Sequence, residues 1–317
     1  MSFFSDVERE LVVTARTEVA DGIVALDLAA SNRRPLPAWT PGSHIDLMLG
    51  SGRERQYSLC SDPADRGTWR IAVLRQDAGR GGSVAVHGLR AGQFVRSRGP
   101  RSNFAFDAPA RGERVVFVGG GIGITPLLPM IRAAADAGAD WTLDHAVRSR
   151  AALPFAEELA AHGERVRLHV SDDGERLDVA ALVAASDNAP IWACGPSRML
   201  DAIAAAATPG TRLHVEPFTA GDLPEPVRPE PFEIELLSTG DVLDVPTDRS
   251  VLEVLEDNDV LAVSSCREGT CGTCETVVVE GDVDHRDRVL TPAERETSPV
   301  MMVCVSRAAC PRLVLDV

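Results

Sequence analysis

The chain has 317 residues, 44% of them hydrophobic and 25% charged, enough for two or three globular domains and unlike a disordered or fibrous protein. No N-terminal apolar region or long apolar run suggests export or a membrane span, so a cytoplasmic protein is expected. The net charge of −15 argues against nucleic-acid binding, and it is uneven: residues 232–317 hold 18 acidic side chains against 7 Arg, net −11, which leaves −4 for the rest. Such an acidic segment reads either as a surface steered towards a basic partner or as a solvated face that keeps the chain soluble.

Residues 8–99 alternate apolar and polar runs, with strands predicted at 10–15, 23–28, 44–49 and 69–74 between Gly, Pro and Asp breaks. That spacing predicts an antiparallel barrel or sandwich. From Glu113 the pattern becomes an apolar strand at 115–118, a Gly-rich turn and an Ala-rich amphipathic helix at 126–137. Strands at 141–147, 166–170 and 191–194 alternate with helices at 154–162, 179–185 and 199–207, which implies an α/β domain with a parallel sheet. A Pro-punctuated linker at 223–231 follows. A last small mixed domain is expected from Phe232, with a hairpin at 232–245, a helix at 251–257 and strands at 275–280 and 313–316.

Seven cysteines without an export signal point to ligation before disulfides. Cys266-x4-Cys271-x2-Cys274, with Cys304 further on, has the plant-type [2Fe–2S] spacing. Three thiolates on one tight loop and one from a distant segment can close around two bridged irons. The small residues Gly269, Thr270, Gly272 and Thr273 let backbone N–H groups turn towards the sulfurs. Structural zinc is the competing use of four cysteines, but it normally shows two separated C-x2–4-C knuckles. Cys310 fits no ligand position.

In Arg55-Gln-Tyr-Ser58, strand alternation places Arg55 and Tyr57 on one face and Ser58 elsewhere. An isoalloxazine needs an apolar or aromatic platform, a hydrogen bond near N5 and a cation for its phosphate. Tyr57 is the only tyrosine in the chain, which favours a role for its ring and hydroxyl over core packing. Gly79-Arg-Gly81-Gly82-Ser83 offers backbone N–H groups at a helix start, suited to a phosphate, and taken alone also reads as a flexible turn.

The run Gly119-Gly120-Gly121-Ile-Gly123-Ile-Thr125-Pro126 joins strand to helix. Its glycines permit close backbone approach to a diphosphate, with Thr125 expected as N-cap and Pro126 at the first helical position. The third glycine of the dinucleotide fingerprint is replaced. Cys194-Gly195-Pro196 ends a later strand, where a nicotinamide would lie in an open α/β sheet, or where a buried Cys simply precedes a turn. Arg148 and Arg150 follow another strand and read as ribose or phosphate contacts, or as solvated side chains.

Taken in order, Arg55-x-Tyr57-Ser58, Gly81-Gly82-Ser83, the 119–126 run, Cys194-Gly-Pro196 and the four cysteines resemble the phthalate dioxygenase reductase family, close to vanillate O-demethylase reductase subunits, over essentially the whole chain. The resemblance implies a multidomain protein: an FMN-binding antiparallel β-barrel (1–103), an NADH-binding α/β domain (104–222), the linker, and an α+β β-grasp ferredoxin domain (232–317). It implies that Arg55 and Ser83 hold the FMN phosphate while Tyr57 and Ser58 contact the isoalloxazine. The 119–126 loop would then cradle NADH, Cys194 would lie near the nicotinamide, and Phe218, in Glu216-Pro-Phe218, would stand beside the flavin.

NADH gives two electrons as hydride and a [2Fe–2S] cluster accepts one at a time, so the implied flavin is the carrier between them. The expected protein is a monomeric NADH-dependent oxidoreductase that passes electrons to a terminal Rieske oxygenase, with no obligatory side-chain catalyst. The alternative is a stand-alone flavin and iron–sulfur reductase, or a redox module, serving another acceptor such as a cytochrome. NADH over NADPH and FMN over FAD rest on the resemblance, since Arg148 and Arg150 could receive a 2′-phosphate that Asp172 and Asp173 would oppose.

Overall fold

A computed structural model describes residues 7–50, 53–79, 81–218, 223 and 225–317. Arg80 in the glycine run, the predicted boundary at 219–222 and Pro224 of the predicted linker lie outside the described residues. The chain forms two compact units, Met1–Phe218 and Thr219–Val317.

The first unit opens with strands β1 (Arg9–Ala20), β2 (Ile23–Ala30), β3 (Ser43–Leu49), β4 (Arg53–Ser58) and β5 (Trp69–Leu74), then helix α1 (Gly82–His87) and strand β6 (Phe94–Ser102). They make one sheet in the order β4-β3-β6-β1-β2-β5, antiparallel at every pairing. Alternate residues Leu11 and Val13, Leu26 and Leu28, Ile45 and Leu47, and Trp69 and Ile71 point into one core, as the period-two pattern requires. Register shifts bend β1 near Val13 and Glu18, and β4 comes back towards β5, so the sheet curls. β6 escaped sequence reading because Arg96, Arg98 and Arg101 mask its alternation. All three arginines are held by acids, Arg96 by Glu8 at 2.6 Å, Arg98 by Glu54 at 3.0 Å and Arg101 by the buried Asp46 at 2.8 Å.

Next come β7 (Arg114–Gly120), α2 (Ile124–Ala137), β8 (Asp140–Val147), α3 (Ala156–Ala160), β9 (Val166–Val170), α4 (Val179–Ala185), β10 (Ile191–Gly195), α5 (Ser197–Ala206) and β11 (Leu213–Pro217). The five strands form a sheet in the order β11-β10-β7-β8-β9, parallel throughout. Its central strand is buried on both faces. Val115 and Phe117 pack with α2 residues Leu127 and Ile131, and Val116 and Val118 pack with Leu182 and Leu200, which is why β7 reads as an unbroken apolar run. Because β7 lies between β8 and β10, the winding direction reverses between β7 and β10. A ligand crevice at the carboxyl ends of an open α/β sheet belongs at that switch point. Ile23, Ala25 and Ala72 of the curled sheet share a core with Phe117 and α2, and Arg132 of α2 donates to the Cys60 carbonyl at 2.9 Å while pairing with Glu158.

The second unit contains β12 (Phe232–Leu236), β13 (Val242–Val245), α6 (Val251–Asp257), β14 (Glu275–Glu280), β15 (Val283–Asp284), α7 (Pro292–Thr297), β16 (Val300–Met302), β17 (Arg307–Ala308) and β18 (Arg312–Asp316). The main sheet runs β13-β12-β18-β14-β16, with a separate β15-β17 ribbon. The β12–β18 pair is parallel and the other pairs are antiparallel. Ile234, Leu313, Leu315, Leu255 and Met301 fill the core. Both helices start with reciprocal capping boxes, Ser250 with Glu253 and Thr291 with Glu294. Among the described residues no helix is long and apolar enough to cross a membrane.

Candidate cofactor sites

The loop between α6 and β14 carries three of the four spaced cysteines. It turns sharply at Gly269 (φ +69) and Gly272 (φ +73), and a Cβ on Gly269 would stand 2.5 Å from Val305 and 3.2 Å from the Asp287 backbone. The loop therefore lies flat on the segment that bears Cys304. Arg288 N–H bonds the Gly269 carbonyl at 2.8 Å. The buried Asp287 carboxylate accepts from the N–H groups of Val289 (3.0 Å) and Leu290 (2.9 Å).

Cys266, Cys271, Cys274 and Cys304 are only 4–8% exposed. Their sulfurs lie within hydrogen-bonding range in the pairs 266–271, 266–304 and 274–304. Sharing of protons among them draws Cys266 well below the ordinary thiol range and pushes Cys271 and Cys304 above it. The Glu268 N–H reaches the Cys266 sulfur at 3.3 Å and the Thr273 N–H the Cys271 sulfur at 3.5 Å, the hydrogen bonds expected of a small-residue loop. No three His, Cys, Asp or Glu side chains among the described residues are arranged to hold one ion. Linked in the order 271–266–304–274, the four sulfurs form one group, the donor set that the plant-type [2Fe–2S] spacing calls for. Cys310 stands apart, accepting from Asp282 N–H at 3.2 Å and bonding the Arg312 carbonyl at 3.0 Å.

On β4, Arg55 lies opposite Leu47, Tyr57 opposite Ile45 and Ser58 opposite His44. Tyr57 packs at the edge of the core, and burial pushes its phenol up to about 12. Ser58 is buried. The Arg55 side chain runs so close to the start of α1 that a Cβ on Gly82 would stand 2.7 Å from it, and Gly81 caps α1 with φ +79. The structure thus brings Arg55 to the Gly81-Gly82-Ser83 turn. Ser83 Oγ faces the preceding loop, accepting from Gln76 N–H at 3.0 Å and donating to the Gln76 carbonyl at 3.3 Å.

The Gly-rich turn after β7 and the Cys194-Gly195-Pro196 turn after β10 meet at the switch point. A Cβ on Gly123 would stand 2.2 Å from the Cys194 carbonyl oxygen, and one on Gly120 would stand 2.6 Å from Pro196, so both glycines are needed for the two turns to pack. Gly121 is left-handed (φ +54) with open space where its Cβ would be, and is the position where backbone can approach a ligand. The expected cap is corrected: a 3-10 turn (Gly121–Gly123) leads into α2, which starts at Ile124 with Gly123 as N-cap. Thr125 is inside the helix and donates to the Ile122 carbonyl at 3.1 Å, while Pro126 sits in the first turn, where a missing N–H costs nothing. The glycines tighten the turn and let the helix begin earlier than the Thr-Pro signal implies.

Burial and the neighbouring Glu216 keep the Cys194 thiol well above its ordinary range. Phe218, just past β11, is partly buried against the core that holds α2. Arg150 is engaged by Asp173 at 2.8 Å, and Asp172 N–H bonds the Arg148 carbonyl at 2.9 Å, so the ends of β8 and β9 are tied together.

Two residues here escaped sequence reasoning. Glu216 lies opposite Cys194 in the β10–β11 register. One of its carboxyl oxygens is buried with no partner among the described residues, and desolvation pushes its pKa up to about 8. The sequence signal for it is its own tripeptide, Glu216-Pro-Phe218. His145, near the carboxyl end of β8, bonds the Gly121 carbonyl at 2.9 Å; its sign in the sequence is that it is the one polar residue on the Trp141-Leu143-His145-Val147 face of that strand.

A switch-point crevice at glycine-rich turns and four clustered cysteines in one chain suit an electron-transferring oxidoreductase. Residues 234–309 match the model of the 2Fe-2S iron-sulfur cluster binding domain. The toluene-4-sulfonate monooxygenase system reductase subunit of Comamonas testosteroni is 40% identical, with 97% of this chain and 98% of that protein covered. The solved phthalate dioxygenase reductase, described as a modular structure for electron transfer from pyridine nucleotides to [2Fe–2S], is 32% identical with a TM-score of 0.73 and 98% of each chain covered. The chain belongs to the phthalate dioxygenase reductase family, the reductase components of oxygenase systems. It also resembles an intact type IV self-sufficient cytochrome P450 monooxygenase at 41% identity and a TM-score of 0.85, covering 98% of this chain and 41% of that longer one.

Proposed function

We propose that the chain takes electrons from NADH and delivers them, through FMN and a [2Fe–2S] cluster, to a terminal Rieske oxygenase, working as a cytoplasmic monomer. The observation that carries this reading is the coexistence of the switch-point crevice with four buried, clustered cysteines. In the same reading the curled sheet is the flavin barrel (1–103), the parallel sheet is the NADH domain (104–222), and the second unit, after the linker at 223–231, is a β-grasp ferredoxin domain (232–317).

Flavin, when bound, exchanges a two-electron donor for single-electron transfer. The chain's own part is binding, orientation and proton control. Arg55 supplies the cation for the flavin phosphate, with Gly81, Gly82 and Ser83 closing the turn around it; Ser83 reaches it by releasing Gln76. Tyr57 and Ser58 border the isoalloxazine, and Phe218 stands beside it. Gly119, Gly120, Gly121, Gly123, Thr125 and Pro126 form the coenzyme loop, and Cys194, Gly195 and Pro196 flank the nicotinamide. The Cys194 thiol stays protonated and uncharged there, and Glu216 holds a proton close by at neutral pH. Cys266, Cys271, Cys274 and Cys304 hold the irons. Arg150 is drawn to Asp173 and away from a 2′-phosphate, which supports NADH over NADPH.

Anaerobic titration with NADH tests the path: flavin and cluster absorption bleach together in one protein, and a flavin that reduces beside an oxidised cluster refutes it. The likeness to the self-sufficient P450 supports a second reading, in which the acceptor is a P450 haem. Comparing transfer rates from the NADH-reduced protein to a purified Rieske oxygenase and to a P450 haem domain separates the two.

A further inference from the structure

The glycine-rich turn after β7 is held from beneath by one side chain. His145 is fully buried, at 0% exposure. The β7–β8 register sets it opposite Gly119, and a Cβ on that glycine would stand 3.1 Å from its ring. Its Nε2 lies 2.9 Å from the Gly121 carbonyl oxygen, while Nδ1 is buried with no hydrogen-bond partner among the described residues. Desolvation lowers its pKa to about 4, so it is neutral at physiological pH and carries one N–H. The carbonyl assigns that proton to Nε2, leaving Nδ1 as an unused acceptor. The adjacent acid does not serve it: Asp144 points to the opposite face, where Arg167 (2.9 and 2.5 Å) and His169 (2.8 Å) occupy it.

Filling this space does not require an imidazole. A phenylalanine or leucine would occupy it without stranding a buried nitrogen, so the residue's distinguishing feature is its bond to the turn. In a trans peptide the carbonyl and the following N–H point in opposite directions. Drawing the Gly121 carbonyl inwards therefore turns the Ile122 N–H outwards, at the one glycine of the turn that is left-handed with open space beside it.

We propose that His145 is a positioning residue for the coenzyme diphosphate, its Nε2–H pinning the Gly121 carbonyl so that the Ile122 amide faces the anion. The inference rests on the reading of residues 119–126 as the coenzyme loop.

The test uses the flavin- and cluster-loaded protein with three probes: ADP-ribose, which carries the diphosphate but no hydride; NADH; and 1-benzyl-1,4-dihydronicotinamide, a hydride donor without phosphate. His145→Phe should raise the ADP-ribose Kd and the NADH KM about tenfold, the scale of one lost hydrogen bond to an oriented group. The kcat and the reduction rate with the benzyl donor should stay within about twofold, and His145→Gln, whose amide can reach the same carbonyl, should restore most of the affinity. An unchanged Kd in His145→Phe, a Gln variant as weak as Phe, or an equal loss with the benzyl donor overturns the proposal. Where the Phe variant does not fold, nitrogen NMR of the wild type decides: an Nε2–H tautomer whose signal shifts on adding ADP-ribose supports the role, and an Nδ1–H tautomer refutes it. A wild-type protein that binds neither ADP-ribose nor NADH refutes the coenzyme reading itself.

Discussion

Glu216, beside Cys194 in the β10–β11 register, has a carboxyl oxygen with no partner among the described residues. Its pKa of about 8, against an ordinary 4.5, is a desolvation effect, and the sign of its contribution to stability follows. Between pH 4.5 and 8 the folded chain keeps a proton that the unfolded chain releases, so this group weakens the fold as pH rises through that window. Glu216→Gln should therefore unfold at a higher temperature than the wild type at pH 8 and at nearly the same temperature at pH 4.5, as read by thermal unfolding at the two pH values. In the proposed reading Asp173 acts on specificity instead. Its ion pair with Arg150 is exposed and contributes little stability, but it occupies the guanidinium that would otherwise meet a 2′-phosphate. Asp173→Asn should raise kcat/KM for NADPH about three- to tenfold with little change for NADH, an amount set by one freed charge pair.

At the scale of elements, the loop between α6 and β14 and the segment after β16 each bring part of the cluster site, and both are fastened to the core of the second unit. The Val303 N–H bonds the Cys274 carbonyl at 3.3 Å, and the Leu252 N–H of α6 bonds the Val303 carbonyl at 2.9 Å. Cys274 and Cys304 themselves pack in that core. Serine at 304 keeps the shape and removes the thiolate, so Cys304→Ser should lose or degrade the cluster, measured by iron content and visible absorption. NADH-to-ferricyanide activity should remain within about twofold, because the crevice belongs to a unit with its own core. A folded variant that no longer reduces flavin would contradict that separation.

For the whole molecule the uneven charge matters most. Residues 232–317 carry −11 of the total −15, and they contain all four spaced cysteines. An acidic carrier that must approach a basic acceptor is steered over a Debye length, which shrinks from about 10 Å at 0.1 M salt to about 3 Å at 1 M. Transfer from the reduced cluster to the partner should slow at least about tenfold across that range, while reduction of the flavin by NADH, measured by stopped flow, changes little. A salt-insensitive transfer rate would show that the acidity serves solubility alone.

The cysteine spacing, the strand–turn–helix at 115–137 and the alternating strands of residues 8–99 were legible in the sequence because each is a local signal: a ligand interval, a glycine cluster, a period of two. The same holds for α4, α6 and β9, whose bounds came out as the periodicity predicts. Strand β6 was hidden, since arginines balanced by acids from other segments replace its polar alternation. Helix α7 was overlooked although its Thr291-Pro-Ala-Glu294 start is a capping signature. Only the tertiary structure set Arg55 against Gly82, packed Gly123 onto the Cys194 turn, stranded the Glu216 carboxyl and placed His145 under the Gly121 carbonyl. Each of these depends on strand order in a sheet, and order is fixed by how faces are buried against other layers, information that no single segment carries.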